Sequence, residues 1–152
     1  MKRNILLIAG LLAIVMTIPF SGFTQSDDLY DSGSVWSLTF IRLHPNVDDD
    51  YLKGLNKTWK ASMDEMKKEN LIKSYKILKG SAANQEDFNL LLMIEFENFS
   101  KFDPDPAREA KMNEIEKRVR DAMGEEFQKT VASYSTMRDI NGTKVMREIY
   151  LK

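Results

Sequence analysis

Two kinds of apolar spacing alternate along the chain, and the alternation marks out its elements. Residues 34–43 (SVWSLTFIRL) are rich in β-branched and aromatic types and stop at His44-Pro45-Asn46, as a strand closed by a turn does. Leu52, Leu55, Trp59, Met63 and Met66 then recur every three or four residues, which predicts a helix with one apolar face. Asp48-Asp49-Asp50 at its start is expected to cap orphan amides and complement the positive end of the helix dipole. Gly54 costs roughly 1 kcal/mol relative to Ala inside a helix, so it predicts close packing on the sheet. Residues 71–79 (LIKSYKILK) make a second strand ended by Gly80, and 88–97 (FNLLLMIEFE) a third, the most apolar of all.

Asp103-Pro104-Asp105-Pro106 opens a second helix, with Asp105 as N-cap and Pro106 in the first turn. Glu114 and Arg118, and Glu116 and Arg120, stand at pairing distance on its exposed side. Ile115, Val119, Ala122, Met123, Phe127, Val131 and Tyr134 carry the apolar stripe to about residue 138. A straight helix of that length would span about 51 Å, too long for a domain of this size, so Gly124 is the expected bend. Residues 131–140 read as helix, with Asn141-Gly142 as its C-terminal cap; the alternative is a strand entering a hairpin at the same pair. Residues 143–151 (TKVMREIYL) form the last strand.

Strand faces follow from alternation. In the third strand Phe88, Leu90, Leu92, Ile94 and Phe96 are wholly apolar and belong under the helices. Pairing it centre to centre with the first strand places Val35, Ser37, Thr39, Ile41 and Leu43 beside them. Trp36, Phe40, Arg42 and His44 then share the opposite, open face with Met93 and Glu95. Such a mixture of aromatic, cationic and acidic groups predicts a dimer interface or a ligand cavity.

Composition narrows the function. With 43% hydrophobic and 10% aromatic residues the chain can bury a core. Its 22 Lys+Arg against 23 Asp+Glu give a net charge of −1, without the basic excess of a nucleic-acid-binding domain. The absence of cysteine excludes disulfides, thiolate metal ligation, a cysteine nucleophile and a lipid-bearing cysteine, and one histidine excludes a multi-histidine metal centre. No metal site is expected. The first residues read as an address. A positive Met1-Lys2-Arg3-Asn4, an apolar Ile5–Ile18 and the breaker and small residues of Pro19–Thr24 have the layout of a secretory signal peptide. The run stops short of the roughly 20 apolar residues that span a bilayer. The expected division is a signal peptide over 1–24, a flexible leader over 25–33 and one domain over 34–152. The mature chain would then be periplasmic or secreted, and free of the membrane.

Val35 to Asn46 (VWSLTFIRLHPN), Leu71 to Gly80 (LIKSYKILKG) and Gly142 to Lys152 (GTKVMREIYLK), set in strand-helix-strand-strand-helix-strand order, resemble the dimeric α/β-barrel superfamily. That group includes antibiotic-biosynthesis monooxygenase-like, haem-degrading and stress-responsive A/B-barrel proteins. The resemblance covers about 34–152. It implies an α+β, ferredoxin-like βαββαβ fold: an antiparallel four-stranded sheet with two helices on one face. It also implies a homodimer packed through the sheet faces, each inner face lining a pocket. Three functions fit. The first is an exported domain binding a small aromatic or anionic ligand, with Trp36 and Phe40 as walls, Arg42 orienting the ligand, and His44, Met93 and Glu95 sharing the space. The second is a monooxygenase-like enzyme, cofactor-independent or haem-dependent, with Arg42 or His44 polarising an oxyanion. The third is a purely structural or interaction domain. The sequence holds no Gly-rich phosphate loop, nucleophile elbow or paired His-carboxylate motif, and haem enters only through the resemblance.

Overall fold

The structure, a computed structural model, describes residues 29–152. The expected signal peptide and the start of the leader lie outside the described residues. Strands β1 (Tyr30–Leu43), β2 (Ser74–Lys79), β3 (Leu90–Phe96) and β4 (Arg138–Leu151) form one antiparallel sheet in the order β2-β3-β1-β4. Helices α1 (Asp48–Leu55) and α2 (Ala61–Lys68) connect β1 to β2, while α3 (Pro106–Met123) and α4 (Glu125–Met137) connect β3 to β4. This strand order with its two helical crossovers is the ferredoxin-like α+β fold. Among the described residues no helix is long and apolar enough to cross a membrane.

α1 and α2 are joined by a π-helical turn, Asn56–Lys60, so the chain from 48 to 68 is helical throughout. The wider turn shifts the buried face. Tyr51 and Leu55 lead it before the turn, Met63 and Met66 after it, and Leu52 is only half-buried. Inside the turn, the Thr58 hydroxyl donates to the Gly54 carbonyl (3.0 Å) and meets the Tyr134 hydroxyl at 2.7 Å. Gly54 does permit close packing, but against α4 instead of the sheet: a Cβ there would stand 2.9 Å from Thr130 Cγ2. Asp48, Asp49 and Asp50 occupy the first turn behind Val47 and make no side-chain cap; they complement the dipole, and Asp48 and Asp50 pair with Lys79 (2.7 Å) and Lys53 (3.2 Å).

In the second crossover the Asp105 carboxylate accepts from the amides of Ala107 (3.1 Å) and Arg108 (3.0 Å), with Pro106 in the first turn, as expected. Gly124, at φ 60°, separates α3 from α4. The helix then ends at Met137, and Asn141-Gly142 is neither cap nor hairpin: it lies within β4. Ala122 and Val131, expected on the buried stripe, are exposed: Ala122 lines the open groove between α2 and α3, and Val131 lies beyond the break at Gly124, which rotates the face. Glu114 pairs with Arg118 at 3.1 Å; Glu116 and Arg120 do not pair, and Arg120 lies over the Phe127 ring.

Val35, Ser37, Thr39 and Ile41 of β1 stand opposite Phe96, Ile94, Leu92 and Leu90 of β3 on the helix-covered face, the register expected from the sequence. Two apolar clusters fill that layer. One joins Ile41, Leu43, Tyr51, Leu55, Leu90, Leu92 and Tyr134, and the other Met63, Met66, Ile72 and Ile115. Trp59 packs on both. Phe88 departs from expectation. β3 begins at Leu90, and the Asn89 side chain is held by the Leu43 amide (2.7 Å), so Phe88 turns to the other face and meets Phe40.

Candidate functional site

The face away from the helices is built by alternation in all four strands. β1 contributes Trp36, Leu38 and Phe40, which lie opposite Glu95, Met93 and Leu91 of β3 and Met146, Lys144 and Gly142 of β4. Ser74, Lys76 and Leu78 of β2 complete the rows. Leu38 is buried among its neighbours, whereas Leu78 (53%) and Met146 (52%) stand half exposed with nothing above them in the protomer.

One end of this face is acidic. The Glu95 carboxylate accepts from the hydroxyls of Ser34 (2.6 Å) and Ser74 (2.5 Å) and pairs with Lys73 at 3.1 Å. Burial pushes its pKa up, but those hydrogen bonds outweigh it and hold the group at about 2. Ser34 has a single hydroxyl proton and faces two carboxylates, Glu95 and Glu148 (3.2 Å); the shorter contact takes the proton. Tyr150 bonds Glu148, which raises the phenol's pKa. At the centre the Lys76 ammonium lies 4.9 Å from the Trp36 ring centre, a cation–π contact.

The other end is aromatic and basic. Phe40 and Phe88 meet edge to face, with centroids 4.9 Å apart, and the Lys144 ammonium lies 5.7 Å from the Phe40 centroid. With Glu86, Asn141, Gly142 and Thr143 they line a cavity of about 270 Å³. Beyond it, Arg42 Nη1 donates to the carbonyls of Asn84 (2.5 Å) and Asp87 (3.0 Å), fastening the loop between β2 and β3 to the sheet. His44 closes the strand: Nδ1 faces the Thr136 carbonyl (2.9 Å) and Nε2 the Asp139 carboxylate (3.0 Å). Both partners are acceptors, so satisfying both requires the imidazolium, and the pKa is raised first by Asp139 and next by Thr136.

Trp36 and His44 are about 26 Å apart along an extended strand. The residues singled out from the sequence therefore form separate groups: Trp36, Met93 and Glu95 at one end and centre, Phe40 in the cavity, Arg42 and His44 beyond it. Arg42 and Glu95 do not pair with each other; each has partners of its own. Sequence reasoning missed Ser34, Lys73, Ser74 and Lys144, whose positions on the face become legible only once the registers of β2 and β4 are known, and Phe88, whose face depends on where β3 begins. His44 is the chain's one histidine and both its ring nitrogens are engaged, so an imidazole-ligated haem does not fit this face. Among the described residues no three His, Asp or Glu side chains gather into a metal-binding group.

A larger cavity, about 430 Å³, lies on the helical side between α2 and α3. Its charges satisfy one another or their neighbours: Glu65 with Lys68 (2.5 Å) and Arg118 (3.8 Å), Asp64 with Lys60 (2.7 Å), Lys57 with Glu126 (2.6 Å). It is a solvated groove, and the open sheet face is the better candidate.

No protein-family model and no curated protein matches the chain. Among solved structures, a dimeric ferredoxin-like protein from an uncultured marine organism is 17% identical, with 79% of this chain and 97% of that one covered and a TM-score of 0.43. A second such protein, also from an uncultured marine organism, is 13% identical, with coverages of 80% and 90% and a TM-score of 0.41. HapK from Hahella chejuensis is 13% identical, with coverages of 75% and 91% and a TM-score of 0.39.

Proposed function

We propose that two copies of the chain pack sheet against sheet and hold a small aromatic or anionic ligand in the space between them, without turnover. The observation supporting this is the open face itself. Trp36, Phe40, Leu91, Met93 and Met146 form an apolar band bounded by an acidic end and a basic one. A two-layer fold leaves such a band against water unless a third layer closes over it. A second sheet supplies that layer, and each Å² of apolar surface it covers stabilises the pair by about 25 cal/mol. Binding is favoured over monooxygenase-like catalysis because Arg42 and His44, the groups that would polarise an oxyanion, are already held by backbone carbonyls and Asp139. Export to a periplasm or beyond belongs to the same proposal and is supported by the sequence of residues 1–24.

Light scattering on the mature chain is expected to give twice the protomer mass. Thermal-shift screening against small aromatic acids is expected to raise its melting temperature, and Trp36→Glu to abolish the effect. A folded, unmutated monomer that no compound stabilises would overturn the proposal. Intact-mass measurement of secreted material is expected to show a start at Gln25.

A further inference from the structure

Asn141-Gly142 reads from sequence as a turn or a cap, yet it lies within a strand, near the start of β4. Phe40 stands opposite Gly142 while Ile41 stands opposite Ile140, so β4 has one extra residue here, Asn141, and bulges. Bulges re-aim side chains and are frequent beside functional sites. Here the Asn141 amide nitrogen donates to the Glu86 carbonyl (2.7 Å), tying β4 to the β2–β3 loop, and the strand then presents Lys144 beside Phe40. At Gly142 an added Cβ would meet nothing within 4 Å, so the missing side chain leaves the cavity open.

We propose that this slot binds a single-ring aromatic carboxylate, with its ring on the Phe40–Phe88 pair and its carboxylate on the Lys144 ammonium. This rests on the ligand-binding reading of the open face and assigns its orienting group. An edge-to-face pair leaves a notch into which a third ring fits at the same favourable angles. The volume, about 270 Å³, lies below the roughly 300–1,000 Å³ of sites for drug-sized ligands, which selects one ring over a fused system. Among the described residues no carboxylate pairs with Lys144, and Lys144 lines the cavity while Arg42 does not; Lys144 is thus the cation beside the aromatic wall that is available to an anion.

The test is an NMR titration of the chain with benzoate. Saturable shifts centred on Phe88 and Lys144 are expected, with affinity falling about ten-fold or more in Lys144→Met and largely kept in Lys144→Arg. Phe88→Leu, which removes the ring pair and leaves the charge, is expected to weaken benzoate while sparing the fold. If benzoate instead shifts Trp36 and Met93 and Lys144→Met binds it equally well, the slot is overturned while ligand binding on the face stands. If neither benzoate nor any other small aromatic acid shifts any residue of the open face, both fail together.

Discussion

His44 ties three pieces of backbone at one point: its ring bonds Thr136 at the end of α4 and Asp139 at the start of β4, and its own amide donates to the Met137 carbonyl (2.9 Å). Its pKa is raised above 6.5 by Asp139 and Thr136, against the opposing pushes of desolvation and, less, of Arg42. A folded-state pKa above the unfolded value means that the stabilisation is complete below pH 6.5 and disappears as pH rises through the folded pKa. The single imidazole gives an uncluttered NMR titration. It is expected to titrate above 6.5, and Asp139→Asn to bring it down towards 6.5. Glu95 has the opposite sign. Its carboxyl sits at about 2 against an ordinary 4.5, so its contribution is present above pH 4.5 and is lost as pH falls towards 2. The depression is what Ser34, Ser74 and Lys73 contribute beyond the opposing cost of burial. Ser74→Ala is expected to cost about 1 kcal/mol in urea unfolding at pH 7 and almost nothing near pH 2. Equal losses at both pH values would show that Ser74 acts by packing, not through the carboxylate.

At the scale of elements, the contact between α1 and α4 turns on the absence of one methyl group. Gly54→Ala gains about 1 kcal/mol of helix propensity but drives a Cβ to 2.9 Å from Thr130 Cγ2 and 3.0 Å from the Tyr134 hydroxyl. Overpacking of that kind costs about 1–3 kcal/mol, so a net loss of stability is expected. Thr130→Ser removes the nearer atom, and a double-mutant cycle by chemical denaturation is expected to show the two changes compensating. That glycine was legible in the sequence as a point of close approach, though not its partner, because helical spacing says which face is buried and not what lies against it. The same holds elsewhere. Alternation in Phe88–Glu97 and Val35–Leu43 sufficed to assign both faces and the register between the strands. It misplaced Phe88, because the strand's start is set by the Asn89 bond to Leu43, a residue far away in sequence. β1 begins at Tyr30, inside what reads as a polar leader, because Tyr30, Asp31 and Ser32 pair with Leu151, Tyr150 and Ile149 at the other end of the chain. The π-turn at Asn56–Lys60 leaves no local signature: its satisfied partner, Tyr134, comes from the second crossover.

For the whole molecule the decisive feature is the mismatch between strand lengths. β1 and β4 have 14 residues each, about 46 Å extended, while β2 has 6 and β3 has 7. The long pair outruns the helical layer, and β4 is an edge strand with Val145 (45%), Met146 (52%) and Ile149 (49%) all exposed. Its apolar residues are interspersed with Lys144, Arg147 and Glu148, and these charges together with the bulge at Asn141 guard the edge itself; what stands open is the sheet face. In the proposed pair, closure by a second copy would cover the Met146 side together with Trp36 and Leu78 and would couple folding to association. The thermal midpoint of the chain is therefore expected to rise with protein concentration across a hundred-fold range, as mass action requires of a dimer that unfolds to monomers. Leu78→Glu separates this from simple damage to the protomer, since the side chain is 53% exposed there and a charge in that position meets water while the chain is alone. In the proposed pair the same charge would be buried opposite apolar groups, at a cost of several kcal/mol. The variant is expected to fold, to run as a monomer in light scattering, and to melt at a lower temperature that no longer depends on concentration. A Leu78→Glu protein that keeps the unmutated concentration dependence would place the contact somewhere other than the open face, and the ligand space between two sheets would go with it.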